Sequence, residues 1–152
     1  MSNGISLLKN IRTLTSKVVA DFSHEQLIMI PQDFKNNIMW NVGHIITVQQ
    51  MLTYGLAGHE LKIDASWVPM YKKGSSPDNW DSAPDWTALT EKLHSLCNVF
   101  EKDYQAGLFE NFREYQTATG PLLKNIDDAI DFNNFHEGLH LGTILALRKL
   151  VK

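Results

Sequence analysis

His136 and His140 stand one helical turn apart, a spacing that lets a single helix offer two imidazoles to one metal ion. At about 100° per residue His140 lies roughly 40° from His136. Ala129, Ile144 and Leu147 share that side of the helix, while Asp127, Asp131, Asn134 and Lys149 take the other. Two adjacent imidazoles turned into a core need partners, and a shared cation provides one. A third ligand must come from another helix, and His44 is the candidate. Trp40, Val48 and Met51 lie on its side of an apolar helix, with Asn37 near the start. Three inward histidines from two facing helices leave a coordination position open, which is the layout of a catalytic zinc rather than a closed structural one. Trp40, Asn37 and Asn133 are candidates to line a substrate pocket there; Trp40 suits a core position equally well. His24, His59 and His94 carry no such pattern and are read as ordinary turn, loop and helix-flank residues.

The segment His136-Glu137-Gly138-Leu139-His140 also matches HExxH, in which the glutamate of a zinc peptidase activates water. Such enzymes need a third ligand downstream. Residues 141–152 hold no Glu, Asp or His, and no strand pattern supplies the sheet of a peptidase cleft. Glu137 lies about 60° from His140 on the helix. It is therefore a candidate catalytic or ligand-orienting carboxylate, with a solvated or capping role as the plainer reading. Cys97, among Leu93, Leu96 and Phe100, reads as a buried structural thiol, with no cation beside it on its own helix stripe.

The elements that must position these groups are helical. Residues 4–21 place Leu7, Leu8, Ile11, Leu14 and Val18 on one stripe, with Lys9, Arg12 and Lys17 off it. Residues 36–56 are apolar nearly all round, which predicts burial inside the domain or against a second subunit. Residues 86–105 carry a clear apolar stripe, with Asp85 as N-cap and Gly107 as stop. Residues 125–151 form the last helix, capped by Asn125, with Lys149 and Lys152 favourably placed in its final turn. No strand pattern appears. Four such helices predict an all-α four-helix bundle. Long aromatic connections at 58–84 and 107–124 predict segments that pack over the bundle, the first of them covering the pocket.

Composition bounds the function. The chain has 152 residues, 14 Lys and Arg against 17 Asp and Glu, and a formal net charge of -3. That size predicts one domain spanning 1–152. The absence of a basic stripe argues against a nucleic-acid partner. No apolar run is long enough for a membrane span, and the N-terminus lacks a signal-peptide pattern. One cysteine excludes an intramolecular disulfide and suits a cytoplasmic protein. Six histidines are many for such a chain.

Two segments resemble a known family. Asn37-Ile38-Met39-Trp40-Asn41-Val42-Gly43-His44 is similar to the second-helix "NI-x-W-x-x-x-H" of DinB/YfiT-like proteins, and His136 to Ile144 to their last-helix "H-x-x-x-H-x-G-x-I". The resemblance implies up-down-down-up connectivity, with long connections after the second and third helices. It implies a divalent metal, zinc or nickel, held by His44, His136 and His140. It also implies frequent homodimers, which suits the apolar second helix and an outward Leu141 and Leu145. Some relatives transfer a low-molecular-weight thiol, such as bacillithiol or mycothiol, to an electrophile. The leading expectation is therefore a metal-dependent thiol transferase acting on a small molecule. A metal-dependent hydrolase using Glu137, and a non-catalytic metal-binding dimeric bundle, are the alternatives.

Overall fold

Side-chain caps set most of the helix limits. The computed structural model describes residues 3–151. Helix α1 (Asn3–Val19) is followed by a short α2 (His24–Ile28), which opens on a capping box between Ser23 and Gln26. Asn37 caps α3 (Ile38–Gln50), its Oδ1 accepting the Trp40 N–H at 2.7 Å. The chain continues without a break into a π-helical segment, Met51–Gly55. After it come the single-turn α4 (Trp67–Tyr71) and a 3₁₀ turn, Pro77–Asn79. Asp85 caps α5 (Trp86–Gln105) through the N–H groups of Thr87 and Ala88, and Gly107, at φ 75°, supplies the left-handed residue beyond its end. Strands β1 (Tyr115–Gln116) and β2 (Leu122–Leu123) pair antiparallel. Asn125 caps the last helix, α6 (Ile126–Leu147), by accepting from the Asp128 N–H.

The architecture is all-α apart from that one hairpin. Helix α1 packs on α5 and α6, and α3 packs on the same two, so the four long helices form a closed ring of neighbours. The short α2, α4 and the hairpin were not expected, because segments of five residues or fewer carry too few positions to show a period. The last helix ends at Leu147, short of 151, so Lys149 lies beyond its final turn; Lys152 lies outside the described residues.

Two faces differ from the sequence reading. The buried stripe of α1 is Ile5, Leu8, Arg12, Thr15 and Val19, whereas Leu7 and Leu14 are each 50% exposed. Arg12, expected off the core, is fully buried, because an acidic partner on α6 meets it there. On α6 the expected outward pair divides: Leu141 is buried, Leu145 exposed, and Phe135 and Leu139 stand out instead. The all-round apolar α3 is covered from within the domain, with nearly every residue buried among α2, α4, α5 and α6. Among the described residues, no helix is long and apolar enough to cross a membrane.

Candidate metal centre

Helices α3 and α6 bring His44, His136 and His140 together, with one ring nitrogen from each within 4.8 Å of the others. Ring centroids are 4.5 Å apart for His44 and His140, 4.6 Å for His136 and His140, and 5.1 Å for His44 and His136. Two of the rings are held from behind. His44 Nδ1 donates to the Tyr71 carbonyl at 2.6 Å, and His140 Nδ1 donates to Asn41 Oδ1 at 2.7 Å. Asn41 cannot turn its amide round, because its Nδ2 donates to the Asn37 carbonyl at 2.8 Å. Both bonds place the proton on Nδ1 and leave Nε2 as a free lone pair, the tautomer a metal ligand needs. Trp40 stacks on His44 at 4.4 Å and 16°, fixing the ring plane.

The third ring shows why a cation fits. His44 Nε2 and His136 Nε2 face each other at 3.2 Å, and His136 Nδ1 is buried with no partner. If His136 carries its proton on Nδ1, two lone pairs collide. If it carries it on Nε2, Nδ1 becomes a buried acceptor with nothing to accept. Full protonation of the cluster is resisted by burial. Burial, with the charge on neighbouring histidines, holds His136 down to about 4 and His140 down to about 3; burial lowers His44 as well. Three neutral nitrogens converging in this way are a donor set for a borderline divalent cation.

These shifts make a prediction about pH. Unfolded histidines take a proton near 6.5, whereas His136 and His140 in the fold resist it until about 4 and about 3. Between those limits the unfolded chain binds more protons, so metal-free protein should hold its stability above pH 6.5 and lose it as pH falls toward 4. Melting of chelator-treated protein from pH 8 to 4.5 measures this. His140→Leu should flatten the slope; an equal slope in that variant would refute the prediction.

The histidines open on a cavity of about 1230 Å³. One wall is the α3 series Trp40, His44 and Val48, continued by Leu52, Gly55 and Leu56 of the π-helical segment and its edge. Segments 34–36, 73–78 and 113–119 add to it, so both long connections pack over the bundle and both line the pocket. Trp40 is 4% exposed, lines the cavity and donates from Nε1 to Ser75 Oγ at 2.9 Å, which makes it both a core and a pocket residue.

The other expected pocket groups lie elsewhere. Asn37 is spent on the α3 cap and on the Ile28 carbonyl, 3.0 Å from its Nδ2. Asn133 donates to Glu137 Oε1 at 2.9 Å and does not line the cavity. Glu137 is neither solvated nor beside the histidines' open side. It is fully buried, turned toward α1, with Arg12 Nη2 at 2.8 Å and Arg12 Nε at 3.1 Å. The 60° that separates it from His140 on the helix is enough to carry it out of the site. Cys97 is buried as expected, and burial pushes its thiol up although Arg12 reaches it from α1.

Sequence reasoning missed Asn41 and Tyr71. Asn41 sits one turn before His44 on the same face, a signal that was readable. Tyr71 acts through its backbone carbonyl, which no residue type announces.

The DinB superfamily model matches residues 7–144. No curated protein matches the chain.

Proposed function

The chain belongs to the DinB superfamily, and from that premise we propose a single-domain, divalent-metal-dependent enzyme of the cytoplasm. We assign it zinc or nickel held by His44, His136 and His140, on a four-helix bundle of up-down-down-up connectivity. The reaction we assign is transfer of a low-molecular-weight thiol to an electrophilic small molecule. The observation that carries the metal is the His44 and His136 Nε2 pair facing at 3.2 Å, with the His44 and His140 rings locked from behind.

A bound cation supplies a Lewis acid that favours the thiolate form of a thiol. The chain's own groups do the rest. The Tyr71 carbonyl and Asn41 keep two imidazoles in the ligating tautomer. The apolar wall of Val48, Leu52 and Phe132 excludes water from the attacking sulfur. As the sulfur–carbon bond forms, the leaving group departs with its electron pair and the thiol proton passes to solvent. Hydrolysis through Glu137 is the weaker reading, since that carboxylate is bound to Arg12 and Asn133 away from the cavity. The exposed Phe135 and Leu139 on α6 favour a homodimer through that face.

Elemental mass spectrometry of untagged protein tests the metal. About one zinc or nickel per chain is expected, lost in His140→Ala with helicity retained. A variant that keeps its metal would sink the ligand assignment. Thiol-dependent conversion of an aryl halide, absent in the same variant, tests the reaction. A metal-loaded protein without such turnover would leave the non-catalytic bundle.

A further inference from the structure

We propose that the cavity takes an amphipathic anion, with its charged head on Lys35 and Lys73 and its apolar body running past the histidines along α3. This rests on the enzyme reading above for its reacting end and adds the substrate class.

One wall of the cavity runs along α3 and the π-helical segment that continues it. Trp40, His44 and Val48 follow at single turns of α3, about 6 Å apart each, and Leu52 comes next on the π-helical segment. The histidines therefore sit in the middle of the groove, not at its end. At the Trp40 end two loops meet. Trp40 Nε1 binds Ser75 Oγ, and Ser76 Oγ donates to the Lys35 carbonyl at 3.4 Å. That contact puts Lys35 and the 73–76 turn on the same rim. Both lysines line the cavity, both are exposed, and neither is in an ion pair; among the described residues the pairs are Lys9–Glu101 and Arg12–Glu137. At the other end the helical wall is apolar, with Val48, Met51, Leu52 and Phe132.

Charge points the same way. The chain is net -3, yet the cavity is lined by Lys35, Lys73 and Arg113 against a single acid, Asp78. Asp78 already accepts from Ser76 Oγ at 3.3 Å. The three histidines bring no negative charge, and Glu137 is neutralised by Arg12. Among the described residues that rim sets two lysines against one carboxylate, and an anionic head offsets the excess. Arg113 comes from another loop, anchored where its backbone N–H donates to the Leu56 carbonyl at 2.8 Å.

The test compares octanoate with octanol by calorimetric titration, with metal content measured in the same samples. Octanoate should bind about tenfold tighter, the advantage two exposed charge pairs supply, and lose it in high salt. In Lys35→Gln/Lys73→Gln the two probes should bind alike, with octanol unchanged. Arg113→Gln should leave the preference intact. Equal affinities in the wild type would overturn the proposal. So would a carboxylate preference that survives the double variant, since the metal alone would then hold the head and the metal reading would stand. A lysine-dependent preference in protein that takes up no metal would uphold the anion site and remove the enzyme reading instead.

Discussion

Replacing Arg12 with alanine should cost roughly 3–5 kcal/mol of stability, the penalty for leaving a buried charge without its partner. Arg12 and Glu137 are both fully buried. The guanidinium reaches Glu137 through Nη2 at 2.8 Å and Nε at 3.1 Å, and the Leu93 carbonyl through Nη1 at 3.3 Å. Asn133 adds a donor to the same carboxylate at 2.9 Å. One side chain from α1 thus ties α5 and α6 together. Burial opposes its charge, but Glu137, with Cys97, outweighs that and holds Arg12 above its ordinary value. Whole-domain stabilities run about 5–15 kcal/mol, so the loss is a large share. At about 2–4 °C per kcal/mol for a chain of this size, the melting temperature should drop by roughly 6–20 °C. Removing both charges together, as Arg12→Met with Glu137→Leu, should recover most of it, because the pair's own attraction roughly balances its desolvation. Denaturant unfolding of the two variants decides. A cost below about 1 kcal/mol for Arg12→Ala would show that water reaches the site.

The same pair shows what the sequence could and could not reveal. Caps at Asp85 and Asn125 and the stripe of α5 were legible because they are local: a few consecutive residues hold the whole signal. The histidines were legible for a similar reason, since the i and i+4 spacing fixes their side of α6 and only one partner helix had a histidine on its apolar face. Glu137 was misleading. Its position in an HExxH pattern is local, but its role is set by Arg12, 125 residues away on another helix. The burial of Arg12 is a fact about packing, and hydropathy alone assigns a guanidinium to solvent. The cations of the cavity escaped for the same reason, because Lys35, Lys73 and Arg113 come from three separate loops and form no run in the sequence.

Gly43→Ala should disable the site more than its size suggests. A methyl group there would lie 2.3 to 2.5 Å from three ring atoms of Tyr71. The ring has little room to retreat. Tyr71 is fully buried and meets Trp67 and Trp80 edge-on at 5.6 and 5.7 Å. Overpacking of this kind costs about 1–3 kcal/mol, while the gain from alanine in a helix returns only about 0.5–1 kcal/mol. The larger effect is on chemistry. The residue pushed aside is the one whose carbonyl holds His44 Nδ1 at 2.6 Å. Losing such a support weakens metal binding by about 10–100-fold. Competition with a chelating dye would read this directly. Two controls separate the cause from general damage. Tyr71→Phe should leave metal affinity unchanged, because the hydroxyl has no hydrogen-bond partner and the carbonyl stays in place. Gly142→Ala, where an added Cβ meets nothing within 4 Å, should instead stabilise α6. If Gly43→Ala bound metal as tightly as the parent, His44 would not depend on Tyr71 for its orientation. The segment between α3 and α5 would then cover the site without building it.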